Sequence, residues 1–196
     1  AVLQINFRGS GGYGKKVMNG GLKTWGSTIQ HDIIDATNSI INDDLVDGDR
    51  VCIYGGSFGG YSALMAPLIE PELFKCAIGF VGVYDLPFLY ESGDIPLRKS
   101  GIRFLERAIG RDMTQLKIFS PVYRAPELKL PIMIIHGEED PRAPVEHAYA
   151  MMQALDAANK PYRKLMFEKE GHGLYDPKAR NDMYQQMIAF FSEHLL

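Results

Sequence analysis

Short apolar runs alternate with longer amphipathic segments along most of this 196-residue sequence. Continuous apolar strands that alternate with helices are typical of a parallel sheet with helices on both faces. The hydrophobic spacing predicts strands over 2–7, 50–54, 76–83, 131–136 and 163–167, and helices over 27–42, 59–70, 101–109, 145–159 and 178–194. We therefore predict an α/β fold with a mostly parallel sheet that is flanked by helices on both faces.

The loops that follow the predicted strands are the first place to look for a site. A parallel sheet of this kind binds its ligands at the carboxyl ends of its strands. Four predicted loops leave that edge, directly after Tyr54, Val83, His136 and Phe167. We expect side chains from these loops to converge on one site, whatever its chemistry.

The first of these loops has the sequence Gly-Gly-Ser-Phe-Gly, with Ser57 at its centre and a predicted helix behind it. A serine hydroxyl is a weak nucleophile, and a sharp turn between strand and helix presents it where a base can take its proton. Side chains at Gly55 or Gly59 would collide across such a turn. We predict that Ser57 is a nucleophile and that the backbone N–H of Phe58 stabilises an oxyanion.

Two later loops supply a base and an acid. His172 lies between two glycines after the last predicted strand, and Asp140 follows the strand that ends at His136. The order serine, aspartate, histidine along the chain is that of the α/β-hydrolase fold. We predict His172 as the general base and Asp140 as the acid that orients it, with Asp85, one strand earlier, as the alternative acid. His136 is expected to be buried and hydrogen-bonded, and three histidines in predicted helices are expected at the surface: His31, His147 and His194.

The glycine-rich motifs extend beyond the proposed nucleophile. Gly55–Tyr61 has the sequence Gly-Gly-Ser-Phe-Gly-Gly-Tyr, and Asn6–Gly14 has the sequence Asn-Phe-Arg-Gly-Ser-Gly-Gly-Tyr-Gly. These stretches resemble the G-x-S-x-G-G-Y/F signature and the N-x-R-G-S-x-G-Y-G loop of the prolyl oligopeptidase family of serine peptidases, which includes acylaminoacyl peptidase and dipeptidyl peptidase IV. Further stretches follow in the family's order along the whole chain: Asp47–Arg50, Ser120-Pro121, His136–Pro144 and Gly171–Gly173.

The resemblance implies how a substrate would bind. Members of the family cleave short peptides, and a β-propeller domain ahead of the catalytic domain restricts access. Arg142 matches a family position that binds the main-chain carbonyl of the substrate. We expect the substrate's side chain to enter a pocket lined by Phe58, Tyr61, Tyr84 and Leu86.

The composition argues against several other partners. A net charge of −3 with scattered Lys and Arg indicates no nucleic-acid partner, and no apolar stretch approaches the roughly 20 residues of a membrane helix. Cys52 and Cys76 lie in separate apolar runs, away from any His/Asp cluster. We therefore predict free buried thiols, no metal site and no cofactor.

We expect residues 1–196 to form one catalytic domain that is a piece of a longer protein and lacks the first strands of its fold. A β-propeller and the family's H-G-G-P-like segment, with its nearby oxyanion tyrosine, do not occur in the chain, so we expect it to be weakly active or inactive on its own. Two alternatives stay open: a carboxylesterase or lipase on the same fold, and a catalytically incomplete fragment that self-associates through an unpaired sheet edge.

Overall fold

The computed structural model describes all 196 residues and contains one four-stranded parallel sheet. The strands lie in chain order: β1 (Cys52–Gly56), β2 (Cys76–Phe80), β3 (Ile132–Gly137) and β4 (Tyr162–Phe167). The helices are α1 (Gly14–Gly20), α2 (Thr28–Asn42), α3 (Phe58–Ile69), α4 (Lys99–Ala108), α5 (Met113–Ile118), α6 (Glu146–Ala157) and α7 (Pro177–Leu195). Two 3₁₀ helices, Pro87–Tyr90 and Pro121–Glu127, lie between β2 and β3. None of these helices combines the length and the apolar character of a membrane span.

The sheet is covered by helices on both faces. Ala77 of β2 and Ile132 of β3 belong to an apolar cluster that includes side chains of α3 and α6. Ile78 and Met133, one position further along each strand, pack in a second cluster with side chains of α7. Successive side chains of a strand point to opposite faces, so the two clusters lie on the two sides of the sheet. The predicted α/β architecture is confirmed.

The predicted strand over residues 2–7 is wrong. The apolar alternation is present, but β1 is the edge strand of the sheet and pairs only with β2. Alternation describes which face each side chain takes, whereas a strand also needs a partner for its N–H and C=O groups. β2 ends earlier than predicted, at Phe80, because Val81 has a φ of 44° and leaves the extended conformation.

The prediction of free thiols is also wrong, because Cys52 and Cys76 form a disulfide bond. The two residues are directly opposite each other on β1 and β2, and their Cα atoms are 4.7 Å apart. That separation lies within the range that a disulfide spans. The bond therefore joins the strand that leads to Ser57 to its only neighbour in the sheet.

Cys52 and Cys76 have a sequence separation of 24. Reduction of their disulfide should lower the free energy of unfolding by about 3 kcal/mol, because the bond no longer closes a loop of this length in the unfolded chain. The measurement is urea unfolding with and without a thiol reductant. The matched control is the Cys52→Ala/Cys76→Ala double variant, on which reductant should have no effect. Equal unfolding midpoints for the wild type under both conditions would contradict the prediction.

Candidate active site

Ser57 occupies a strained turn between β1 and α3. Its φ of 57° and ψ of −117° lie outside the regions that non-glycine residues prefer. Its N–H donates a 2.8 Å hydrogen bond to the carbonyl oxygen of Phe80, which ties the turn to the end of β2. α3 begins at the next residue, Phe58, and the Ser57 hydroxyl makes no capping bond to that helix. The hydroxyl is thereby left for another partner.

The glycines around Ser57 have different roles. A Cβ at Gly55 would lie 2.3 Å from the carbonyl carbon and oxygen of Gly59, so the strand and the first helical turn meet through bare backbone. A Cβ at Gly59 would meet nothing within 4 Å, so the predicted collision at that position is wrong. Gly60 is the second constrained position, because its Cβ would lie 2.7 Å from the carbonyl oxygen of Phe80. The packing of α3 against β2 therefore requires a glycine one residue later than predicted.

Ser57, His172 and Asp140 are joined by a continuous chain of hydrogen bonds. The Oγ of Ser57 lies 2.8 Å from Nε2 of His172, and Nδ1 of His172 lies 2.8 Å from Oδ2 of Asp140. The three side chains belong to the loops after β1, β4 and β3, so these loops converge at the carboxyl edge of the sheet. Because Nδ1–H of the imidazole donates to the carboxylate, Nε2 is left to accept the serine proton.

The Asp140 carboxylate is held by several donors besides His172. Its Oδ1 accepts the backbone N–H groups of Arg142 (2.8 Å) and Ala143 (2.9 Å), and Nε2 of His136 lies 3.5 Å from its Oδ2. Burial on its own raises the pKa of Asp140. The contact with His136 and the hydrogen bonds from His172 and the two backbone N–H groups outweigh the effect of burial and hold that pKa well below its usual value. The group is therefore ionised at neutral pH.

Asp85, the alternative acid, is engaged elsewhere. Its carboxylate accepts the backbone N–H of Phe88 (3.3 Å) and the hydroxyl of Tyr123 (3.1 Å), and its own N–H donates to Nδ1 of His147 (3.3 Å). Burial raises the pKa of Asp85. Since the carboxylate bonded to His172 is that of Asp140, the geometry favours Asp140 as the acid.

The loop that carries His172 is held by Glu170, which the sequence did not single out. The buried Glu170 carboxylate accepts the backbone N–H groups of Tyr175 (2.7 Å) and Asp176 (2.8 Å), which closes the loop around the histidine. Gly137 lets this loop approach β3, because a Cβ there would lie 2.3 Å from the carbonyl oxygen of Glu170. The sequence feature that could have indicated this role of Glu170 is its position directly before the Gly-His-Gly sequence.

Two further histidines are buried near the site. His136 is fully buried and its Nε2 lies 2.7 Å from the carbonyl oxygen of Ala143, in agreement with the prediction. His147 was predicted to lie at the surface, but it is also fully buried, so that prediction is wrong. The first turn of α6 is covered by the 3₁₀ helix Pro87–Tyr90, whose Phe88 ring packs edge-on against His147 at a centroid distance of 5.1 Å.

Three of the predicted pocket residues have no exposed surface with which to line a pocket. Tyr61, Tyr84 and Leu86 are all completely buried in the apolar cluster around α3. The Tyr61 hydroxyl donates to the carbonyl oxygen of Phe119 (2.8 Å), and the Tyr84 ring fills space that a Cβ at Gly79 would occupy. These side chains lie close to Ser57 in sequence or follow β2, but they point into the core.

Phe58 and Arg142 remain accessible and line two neighbouring cavities. Phe58 lines an apolar cavity of about 350 Å³ together with Trp25 and Phe104. Arg142 is half-exposed, pairs with Asp94 at 3.0 Å and lines a second cavity of about 470 Å³, to which Phe104 also contributes. No group of three or more His, Cys, Asp or Glu side chains is arranged to hold a metal ion.

Comparisons with known proteins give the family of the chain. A family model described as the prolyl oligopeptidase family matches residues 1–196. The chain is 34% identical to dipeptidyl aminopeptidase BIII of Pseudoxanthomonas mexicana, and the match covers 96% of the chain. It is 33% identical to dipeptidyl peptidase family member 6 of Caenorhabditis elegans, and that match covers 100% of the chain. It spans only 28% and 27% of those two proteins. A solved structure of an acylaminoacyl peptidase in complex with Z-Gly-Gly-Phe-chloromethyl ketone aligns with a TM-score of 0.87 and 27% identity, over 97% of this chain and 31% of the other.

The family match extends over every residue of the chain, including both glycine-rich motifs. The aligned structure has the same arrangement of parallel strands and helices over nearly the whole chain. The chain therefore belongs to the prolyl oligopeptidase family of serine peptidases and has the α/β-hydrolase fold.

Proposed function

We propose that this chain is the catalytic domain of a serine peptidase that hydrolyses short peptides through Ser57, His172 and Asp140. The observation that carries the proposal is the pair of 2.8 Å contacts that connects the Ser57 hydroxyl through the imidazole to a buried carboxylate. The strained backbone at Ser57 supports it, because strain of this kind is typical of a nucleophile presented on a tight turn.

In the proposed reaction, Oγ of Ser57 attacks the carbonyl carbon of the peptide bond while Nε2 of His172 takes the hydroxyl proton. The negative charge moves to the carbonyl oxygen, where the N–H of Phe58 can donate, since it is among the first N–H groups of α3 and has no partner within the helix. The imidazolium then gives its proton to the leaving amine, and the acyl group stays on Ser57. A water molecule attacks this ester with His172 again as base, which releases the acid and restores the serine.

The substrate class follows from the surroundings of Ser57. Phe58 is the next residue, and it lines an apolar cavity of about 350 Å³ that suits an apolar side chain of a peptide. The aligned acylaminoacyl peptidase was solved with a peptide-like chloromethyl ketone that carries a phenylalanine. We propose that this cavity, rather than one lined by Tyr61, Tyr84 and Leu86, accepts the side chain, and that Arg142 contacts a main-chain carbonyl of the peptide.

We also propose that residues 1–196 form one domain of a longer protein in which a β-propeller limits access to short peptides. The support is that the chain spans about 28% of the curated relatives it matches, together with the resemblance of its motifs to the family. Association of two copies through the free edge of β1 stays a prediction from the sequence.

The test is labelling by a fluorophosphonate of the full-length protein that contains this chain. We expect labelling of the wild type and none of Ser57→Ala, because the probe reacts only with an activated serine. The matched control is Ser39→Ala on the exposed side of α2, which should be labelled like the wild type. Labelling of Ser57→Ala at another serine would overturn the assignment. Turnover of a short acyl ester without turnover of a peptidyl anilide would overturn the peptidase function.

A further inference from the structure

Asp94 is the ionic partner of the arginine that is proposed to contact the substrate. The Oδ2 of Asp94 lies 3.0 Å from Nη2 of Arg142, and no other carboxylate lies within 4 Å of that guanidinium. No hydrogen bond from the Arg142 guanidinium to another protein group accompanies this ion pair. A guanidinium has five N–H donors, so most of those of Arg142 are free for a ligand.

The backbone of Arg142 is fixed, but its side chain is not fixed by packing. The N–H of Arg142 donates to Oδ1 of the catalytic acid, Asp140, at 2.8 Å, and the N–H of Ala143 donates to the same oxygen at 2.9 Å. These bonds set where the Arg142 side chain begins. About half of that side chain is exposed, at 52%, so its torsions depend on the contact with Asp94.

Asp94 lies on a loop that is joined to the loop of the catalytic acid through backbone contacts. The N–H of Asp94 donates a 2.8 Å hydrogen bond to the carbonyl oxygen of Pro141. The preceding residue, Gly93, has a φ of 89°, and a Cβ there would lie 3.2 Å from the carbonyl oxygen of Arg142. The Asp94 carboxylate is therefore presented to the guanidinium from a segment that is itself held in place.

The ion pair lies next to the cavity that is proposed to accept the substrate's side chain. Asp94 and Arg142 line the cavity of about 470 Å³, and Phe104 lines both this cavity and the apolar cavity of Phe58. The two cavities are therefore neighbours. The arrangement suits an extended peptide that places one side chain in the apolar cavity and an adjacent residue beside Arg142.

We propose that Asp94 is a positioning residue that aims the guanidinium of Arg142 at a main-chain carbonyl of the bound peptide. Asp94 engages one nitrogen of the planar guanidinium and leaves the other N–H groups to donate to the carbonyl oxygen. Immobilising a long side chain on binding costs roughly two- to tenfold in affinity, and a side chain that is already held avoids much of this cost. The inference rests on the proposed function, in which Arg142 contacts the peptide.

The test is the hydrolysis of a peptidyl anilide by the full-length protein with Asp94→Asn. Asparagine has the same shape as aspartate and keeps the N–H that donates to Pro141, so the substitution removes the ion pair alone. We expect KM to rise about fivefold and kcat to stay within about twofold of the wild type, because the loss falls on substrate binding. Fluorophosphonate labelling of Ser57 should be unchanged, since that probe has no peptide main chain. The urea midpoint should also be unchanged, because an exposed ion pair contributes little to stability.

Glu91→Gln is the matched control, because it removes the same charge from an exposed position three residues earlier that makes no ion pair with Arg142. Its KM should equal that of the wild type. Arg142→Gln should raise KM by roughly 10-fold or more, and the addition of Asp94→Asn to that variant should have no further effect, because Asp94 acts through Arg142.

Three results would overturn the inference. They are an unchanged KM in Asp94→Asn, a further rise of KM when Asp94→Asn is added to Arg142→Gln, and a fall in kcat and in labelling, which would indicate a role in the loop of the catalytic acid instead. A wild-type protein that hydrolyses no peptidyl anilide would overturn the proposed function and the role of Asp94 with it. Failure of the inference alone is recognised by normal peptide hydrolysis in the wild type.

Discussion

Replacement of Asp140 by asparagine should slow fluorophosphonate labelling of Ser57 by about 10⁴-fold with little change in the fold. The asparagine side chain has the same shape as that of aspartate, and its oxygen can still accept hydrogen bonds from the N–H groups of Arg142 and Ala143. The amide NH₂ would then face Nδ1 of His172. That nitrogen would become an acceptor, its proton would move to Nε2, and the ring could no longer take the serine proton.

The matched control for this prediction is Asp85→Asn, which removes the same charge at the alternative acid. The oxygen of an asparagine can still accept from Phe88 and Tyr123, and no contact joins position 85 to His172. We expect labelling within about threefold of the wild type. Thermal unfolding of both variants separates a loss of reactivity from a loss of fold. A large loss in Asp85→Asn with a small one in Asp140→Asn would reverse the assignment of the acid.

The parts of the site that depend on local sequence and chain order were predictable. Ser57 lies between an apolar strand and a helix, so its turn is specified by neighbouring residues. His172 and Asp140 could be placed because parallel strands bring the loops at their carboxyl ends to one edge of the sheet. The hydrogen bonds that connect the three side chains required the structure.

Features set by contacts between distant segments were not predictable. Tyr84 fills a space left by Gly79, and nothing in the sequence indicates that these two positions meet. His147 has the neighbours of an ordinary helix, but Phe88 covers it from a separate segment. The disulfide depends on the register of β1 against β2, which places Cys52 opposite Cys76, and register is not specified by hydrophobic runs.

The second large effect is expected at Gly55, where a single added methyl group should disrupt the nucleophile turn. In Gly55→Ala the new Cβ would lie 2.3 Å from the backbone of Gly59, and neither segment can give way by a side-chain rotation. We expect the free energy of unfolding to fall by about 3 kcal/mol, the upper part of the range for overpacking. Labelling of Ser57 should slow by about 10²-fold in the molecules that remain folded, because the turn that positions the hydroxyl must shift.

Gly59→Ala is the matched control, since it adds the same methyl group to the same turn. Its Cβ would meet no atom within 4 Å, and the residue lies inside α3. Alanine is favoured over glycine in a helix by roughly 0.5–1 kcal/mol, so this variant should be as stable as the wild type or slightly more stable. Urea unfolding and labelling rates measure both effects. If Gly59→Ala lost as much stability as Gly55→Ala, close packing of backbone against backbone at Gly55 would not be the reason for the glycine, and general flexibility of the loop would be the better explanation.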